Sequence, residues 1–338
     1  SWGSIGILES IAKAPKVYPA LRRLPAIFGD EKPDLFVPVD YRFFNMRAAR
    51  IAKEAGIPVV YFFAPVSWFG SGGKRFSQLA ETVDLSLVAL PLSLDDYRAA
   101  GANFEFVGHP LMDAARPSME KDEARRFFGV SPDAPCIGLM PGSRMQEIKR
   151  LMPVFAQASK LLAEKIPGVE FVLFRAAAEF EPVIRKLAGD APIKIAAEKV
   201  YDFMAMCDLL ILCSGTATHE ATIIGKPMVV TYKLSWFTAW LARKTVNPPF
   251  VALPNVLAGR FVAPELLQEE CTQQNIAEKA EELLTDADSR YNMQAELGNI
   301  RGRLGAPGSV VRAARRVVDA ALGDIPRLNC PAQDATGD

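Results

Sequence analysis

The sequence predicts an α/β protein of two doubly wound domains, and three observations carry that expectation. Short apolar segments rich in β-branched residues recur along the chain, amphipathic helical patterns separate them, and the alternation continues through most of the 338 residues. Strands so short and so apolar are buried on both faces, which parallel βαβ units provide. The length is long for one hydrophobic core and suits two, with a cleft between them.

The chain opens on a helical pattern over Ile5–Leu24. A doubly wound domain ordinarily starts with a strand, so the first domain is expected to lack its N-terminal strand. Strands are predicted at Leu35–Val39, Val59–Phe63, Leu85–Leu90 and Phe104–Val107. The Pro-containing stretch Pro110–Pro132 marks the boundary, giving a first domain over 1–112 and a second over 113–308. Second-domain strands are predicted at Cys136–Met140, Val169–Phe174, Leu209–Leu212 and Met228–Thr231. After Gly142, residues Ile148, Leu151, Met152, Phe155, Leu161 and Leu162 recur at helical spacing. A last amphipathic helix runs from about Ser309 to Leu322; the segment 309–325 is expected to pack back on the first domain, and the polar tail 326–338 to be disordered.

Composition excludes several classes. Lys+Arg and Asp+Glu both number 39, so no global field favours nucleic acid, and an anion site must be local. The five cysteines are scattered without a CxxC pair, which fits reduced thiols in a cytoplasmic protein. Two distant histidines, His109 and His219, cannot form a multi-histidine metal centre. No apolar run reaches the roughly 18–20 residues that cross a bilayer, so a membrane, if used, is met from its surface.

Two segments read as anion-binding turns. Cys136-Ile-Gly-Leu-Met-Pro-Gly-Ser-Arg144 is a strand, a glycine turn and a helix start, where free backbone N–H groups and the helix dipole converge. Gly142 permits close approach, Ser143 can cap or donate, and Arg144 can pair with a diphosphate. The alternative is an ordinary βα turn with a surface arginine. In Ile211-Leu-Cys-Ser-Gly-Thr-Ala-Thr-His-Glu220 a second strand meets small residues and a helix, favouring phosphate or ribose near Ser214, Gly215 and Thr216. Glu220, one turn in, is placed for ribose hydroxyls or is simply a first-turn acid. His219 reads as a packing or surface residue. Neither turn is a Walker A loop and GxGxxG is absent, which disfavours ATPase and dinucleotide readings.

Asp40 ends the Leu35–Val39 strand, where a carboxylate facing the crevice could deprotonate a hydroxyl. A helix N-cap is the competing reading. Trp236, Phe237 and Trp240 lie beside Lys233, Arg243 and Lys244, a composition suited to an anionic bilayer interface or to a core helix with charged ends.

Val107-Gly-His-Pro-Leu111, Met140-Pro-Gly-Ser-Arg-Met-Gln-Glu-Ile148, Cys213-Ser-Gly-Thr-Ala-Thr-His-Glu220, Lys226-Pro-Met-Val-Val230 and Leu253-Pro-Asn-Val-Leu-Ala-Gly-Arg260, with Pro264-Glu-Leu-Leu-Gln268, resemble in order and spacing the lipid-A-disaccharide synthases. The resemblance implies two Rossmann-like domains of the GT-B type. It implies transfer of 2,3-diacylglucosamine from UDP to the 6-hydroxyl of 2,3-diacylglucosamine 1-phosphate, with inversion and without metal or other cofactor. Asp40 falls on the family's proposed base. Arg144, Ser214, Gly215, Thr216, Glu220, Asn255 and Gln268 fall on nucleotide-sugar positions, and Gly142, Ser143 and Glu147 in the first turn are expected to bind substrate beside them. The implied partners are UDP-diacylglucosamine, acylated glucosamine 1-phosphate, the anionic inner-membrane surface from the cytoplasmic side, and a second copy in a homodimer.

The sequence also departs from the family. Its first strand and Gly-Glu-x-Ser-Gly-Asp loop have no counterpart before the first helix. Its Trp-Ala-Trp reads Trp68-Phe-Gly70, its Pro-Phe-Glu reads Pro91-Leu-Ser93, and its Leu-Pro-Gly-Ser-Arg reads Met140-Pro-Gly-Ser-Arg144. The large departures fall in the acceptor domain and bear on acceptor identity. Two other readings stand beside the synthase: another GT-B enzyme on UDP-sugars such as a 2-epimerase, and an inactive relative that binds UDP-sugar or lipid.

Overall fold

The computed structural model describes residues 7–67, 73–234 and 249–328, with side chains from Tyr18 onward. The chain divides into two compact units, Ser1–Asp113 with Leu304–Asp338, and Ala114–Arg303.

In the first unit, α1 (Ile7–Glu31) and α2 (Arg42–Glu54) lead into β1 (Val60–Phe62). The chain continues through α3 (Gly73–Thr82), β2 (Leu85–Val88), α4 (Leu94–Ala99), β3 (Phe104–Phe106) and α5 (Leu111–Ala114). The sheet is parallel, in the order β1-β2-β3. The expected strand Leu35–Val39 contributes only two isolated parallel bridges to this edge, Phe36 with Val59 and Val39 with Phe62. Pro38 explains the shortfall: its carbonyl accepts from Phe62 N at 2.9 Å, but proline has no N–H with which to continue the ladder.

Ala48, Ala49 and Ala52 are the buried face of α2, and their small side chains let the helix lie close to its neighbours. Phe28, Val59, Tyr61, Phe76, Tyr97 and Phe104 fill the core on that side. The other face is covered by the helix Ser309–Ala321, whose Ala313 and Ala320 join Val60, Leu85, Leu87 and Val107. That helix is pinned by polar contacts. Asp113 accepts from Gly308 N and Ser309 Oγ, Arg312 donates to Val107 O at 2.7 Å, and Arg316 pairs with Glu105 at 2.5 Å.

The second unit contains α6 (Lys121–Phe127), β4 (Cys136–Met140), α7 (Met145–Lys165), β5 (Glu170–Phe174), α8 (Glu181–Ala188) and β6 (Ile193–Ala196). Then come α9 (Val200–Met206), β7 (Leu209–Cys213), α10 (Thr216–Ile224), β8 (Met228–Tyr232) and β9 (Glu265–Leu267), with helices over Leu253–Ala258, Gln273–Thr285 and Ala287–Arg303. Its sheet is parallel in the order β6-β5-β4-β7-β8-β9. Strands β4 to β6 run outward one way and β7 to β9 the other, so the topological switch lies between β4 and β7. Ligands of open parallel sheets bind beyond the carboxyl ends of the strands at such a switch. Helix α7 buries Ile148, Leu151, Met152, Phe155 and Leu162 against this sheet, as their spacing predicts. Cys136, Cys207, Cys213 and Cys271 are buried free thiols. Among the described residues no helix is long and apolar enough to cross a membrane.

Candidate functional site

The two turns singled out in the sequence follow the two strands that flank the switch, β4 and β7. Both therefore stand at the carboxyl edge of the second unit's sheet, but the structure makes them unlike. In the first turn the backbone N–H groups of Ser143 and Arg144 are occupied by the protein's own carboxylate: both donate to Glu147 Oε2, at 3.1 and 3.2 Å. Arg144 Nη1 pairs with Glu147 Oε1 at 3.0 Å. This corrects the expectation that these amides are free for phosphate, because Glu147 sits where an anion would. It also changes the role of Gly142, at φ 117. A Cβ there would lie 2.4 Å from Glu147 Oε2 and 2.7 Å from Glu147 Cβ, so the close approach that glycine permits is that of Glu147. What the first turn offers outward is the guanidinium of Arg144, held from one side by Glu147 with a third of its side-chain surface exposed.

The second turn is open among the described residues. Gly215 precedes α10 at φ 149 and ψ −153, a backbone region that only glycine enters readily, and a Cβ there would meet nothing within 4 Å. Among the described residues the space beside Gly215 is therefore open at the start of α10, where the helix dipole favours an anion. Thr218 N and Oγ1 donate to Gly215 O at 3.0 and 2.8 Å and fix the turn. Ser214 donates its N–H to Thr231 O and its hydroxyl to Val251 O, while Thr216 is exposed at the helix start. The turns are electrostatic neighbours. Burial raises the Cys213 thiol, Glu147 raises it further, and Arg144 counteracts.

Glu220 accepts from Tyr201 Oη at 3.2 Å, and burial raises its pKa. The Tyr201 hydroxyl is pushed up to about 12 by burial and by Glu220, so it stays a donor at neutral pH. Among the described residues only Oε1 of Glu220 is engaged, which leaves Oε2 for a hydroxyl.

Asn255 does not behave as its motif suggested. It is 0% exposed, its Nδ2 donates to Ala263 O and Glu265 Oε1, and its Oδ1 accepts from Val262 N and Ala263 N. Two donors and two acceptor positions are all an amide has, so nothing is left for a ligand. Its work is to hold the loop that passes the carboxyl edge, together with Glu265, which accepts from Val251 N and Ala252 N. Gln268 follows β9 at φ 49, an unusual conformation for a non-glycine residue, and accepts from Leu234 N at 3.2 Å. It clamps the end of β8 to the end of β9.

In the first unit, Asp40 and Tyr41 both have positive φ, 48 and 38. Asn45 Nδ2 donates to the carbonyls of Val39 and Asp40 at 2.8 and 2.6 Å, and Tyr61 Oη donates to the Asp40 carbonyl at 2.6 Å. Burial pushes the Tyr61 hydroxyl up, against its bond to Asn45, and the charge of Asp40 adds to the rise. Asp40 does not cap a helix, since Tyr41 is the residue preceding α2 and no side chain caps it. The carboxylate of Asp40 is exposed on a backbone that bonds from Asn45 and Tyr61 hold in a strained shape.

Trp236, Phe237 and Trp240 lie outside the described residues. Sequence reasoning missed Tyr201, Glu265 and Tyr61, and it read Lys233 only as a membrane cation. The structure places Lys233 just beyond β8, where it lowers the Cys271 thiol that burial pushes up to about 11. A cation directly after an apolar strand was the available signal for Lys233. Glu265, inside Pro264-Glu-Leu-Leu-Gln268, offered one too, as a lone acid within a short apolar run.

The model of a family described as "Lipid-A-disaccharide synthetase" matches residues 1–307. A lipid-A-disaccharide synthase of Geobacter metallireducens is 36% identical over 319 residues, 93% of this chain and 82% of the relative. One of Myxococcus xanthus is 36% identical over 318 residues, again 93% and 82%. Among solved structures, the UDP-GlcNAc 2-epimerase of Neisseria meningitidis bound to UDP-GlcNAc superposes with a TM-score of 0.60 at 15% identity, covering 91% of this chain and 81% of that one. That likeness shows the fold, two Rossmann-like domains of the GT-B type, and nothing finer. With a family model across most of its length and relatives at this identity, the chain belongs to the lipid-A-disaccharide synthase family.

Proposed function

We propose that this chain is a hexosyltransferase that makes lipid A disaccharide 1-phosphate. It moves 2,3-diacylglucosamine from UDP to the 6-hydroxyl of 2,3-diacylglucosamine 1-phosphate. The observation that supports it best is the open N-terminus of α10 at the switch point, neighboured by the Arg144 guanidinium. In this reading the second unit binds the UDP-sugar, and the first binds the acceptor. The departing diphosphate gains negative charge as the glycosidic bond breaks, and the α10 dipole, Arg144 and Lys233 stabilise it. Glu220 and Tyr201 receive the ribose. Asp40 takes the proton of the attacking hydroxyl.

The test is an assay with UDP-diacylglucosamine and diacylglucosamine 1-phosphate, following disaccharide and UDP by mass. Equal yields of both products are expected. Epimerised donor without disaccharide would establish the epimerase reading instead, and donor binding without turnover the inactive one. Arg144→Ala is expected to weaken UDP binding by roughly 10- to 150-fold, the equivalent of about 1.5–3 kcal/mol for a charge-assisted contact. Calorimetric titration of UDP checks it, and an unchanged affinity removes Arg144 from the site.

The same reading puts the protein on the cytoplasmic surface of the inner membrane, since both sugars are acylated. Trp236, Phe237 and Trp240, beside Lys233, Arg243 and Lys244, are the contact we assign. Sedimentation with anionic vesicles is expected to pull the protein down at low salt, less at high salt, and less again for Trp240→Ser. Protein that stays in the supernatant at low salt means that the aromatics belong to the core.

A further inference from the structure

The first unit contains a cavity of about 480 Å³ lined by four arginines, Arg42, Arg47, Arg50 and Arg75, and among the described residues by no carboxylate. The rest of its wall is largely apolar, including Leu21, Phe43, Met46, Ile51 and Leu79. Its volume lies within the range of about 300–1,000 Å³ common for small-molecule sites. Three other cations of this unit are ion-paired: Lys53 with Asp84, Arg98 with Asp95, Arg316 with Glu105. Around the cavity, Arg47 donates to the backbone carbonyl of Phe43, and no acidic side chain among the described residues pairs with any of the four. The placement also runs against the helix dipole. Arg42 begins α2, Lys74 and Arg75 lie in the first turn of α3, and neither first turn holds an acid. Cations at helix N-termini are opposed by the helix dipole. Burial, and after it the charge of Arg75, depress the pKa of Arg42, against a smaller opposing effect of Tyr61. Phe43 is exposed at the rim.

We propose that this pocket holds the phosphate of the acceptor, with Arg42, Arg50 and Arg75 as the anion-binding group and Phe43 and Met46 as the wall for an adjoining acyl chain. The inference rests on the acceptor chemistry of the preceding section. Unpaired guanidinium groups match a phosphate monoester, and an apolar wall beside them matches the chain carried on the same sugar. The pocket is close to the proposed base along the chain: Arg42, in its lining, is two residues from Asp40. A phosphate anchored there would set the distance from the acceptor's far end to the base.

The experiment measures binding of short-chain diacylglucosamine 1-phosphate, of the same sugar without phosphate, and of short-chain phosphatidylglycerol, to the parent and to Arg42→Gln/Arg75→Gln. UDP titration on each protein shows that the second unit is intact. The double variant is expected to weaken the phosphorylated sugar about 10- to 100-fold, as for loss of charge-assisted bonds, and to leave the dephosphorylated sugar and UDP unchanged. Met46→Ser is expected to weaken both sugars alike. Unchanged affinity of the double variant for the phosphorylated sugar overturns the proposal, and so does a pocket that takes phosphatidylglycerol but not the sugar phosphate. Turnover separates this outcome from the proposed reaction. A parent that makes disaccharide while the variant keeps its acceptor KM refutes the pocket alone. A parent that binds acceptor through these arginines yet makes no disaccharide refutes the reaction alone.

Discussion

Asp40→Asn is expected to fold, to bind UDP as tightly as the parent, and to lose about 10²–10⁴-fold in turnover, the usual contribution of a general base. The backbone argument makes this substitution informative. Asp40 sits at φ 48 and Tyr41 at φ 38, and asparagine enters that left-handed region more readily than most residues. Asn45 and Tyr61 hold the Asp40 backbone through carbonyl oxygens, which the substitution does not touch. No helix cap is lost, because Asp40 caps nothing. Size, conformation and supports therefore survive, and basicity alone disappears. The acceptor hydroxyl must shed its proton as the glycosidic bond forms, and an amide cannot receive it. Initial rates at saturating donor and acceptor are the measurement. If Asp40→Asn keeps more than about a tenth of parental turnover, it lies outside the range for a lost general base, and the proton acceptor is another group.

Why the sequence revealed some of this and not the rest follows from particular residues. The expected inner strands, such as Cys136–Met140 and Leu209–Leu212, are apolar over their whole length because both faces are covered, and they are strands in the structure. The two strands that escaped notice are the outermost ones. In Ile193–Ala196 only Ala196 is buried, and Lys194, paired with Glu170, interrupts the apolar residues, so no apolar run exists to be seen. Glu265–Leu267 is three residues long and begins with a buried carboxylate that holds Val251 N, Ala252 N and Asn255. Its identity as a strand depends on pairing with β8, which is non-local. At the site, the glycine turns were legible because their composition is local. That Glu147 folds back to fill the first turn was not, since a glutamate in a first helical turn reads the same whether it faces solvent or the turn. Asn255 misled for a related reason: a motif marks a position, and a buried amide that organises a loop leaves the same trace as one that touches a ligand.

The largest effect on stability is expected at a site that takes no part in catalysis. Arg125 is 3% exposed, and its guanidinium ties three segments of the second unit together. Nη1 donates to the carbonyls of Ser131, Pro132 and Ala134, Nε to Met206 O, and Nη2 pairs with Asp208 Oδ2 at 2.8 Å. Asp208 also accepts from Cys136 N at 2.9 Å and from Lys121 Nζ at 2.7 Å. It thereby joins the entries of β4 and β7, the strands that carry both anion turns. Arg125→Ala strips several carbonyls of their donor and leaves the partly buried Asp208 with only Lys121 and the Cys136 N–H. Breaking such a buried pair from one side is destabilising by about 3–5 kcal/mol. A single denaturation midpoint is a poor gauge for a chain of two units, so amide exchange in β4 and β7 is the better measure. Their opening free energy is expected to fall by that amount. The effect also has a pH signature. Burial alone would raise the Asp208 pKa, but Lys121, the Cys136 N–H and Arg125 outweigh it and hold the pKa below its ordinary value. Its contribution is therefore fully present above the unfolded carboxyl pKa of about 3.9 and is lost as pH falls through the lower folded value. The gap between parent and Arg125→Ala should be widest near neutrality and should narrow in acid. A gap under about 1 kcal/mol at pH 7, the scale of an exposed ion pair, would mean that the node holds nothing that packing does not already hold.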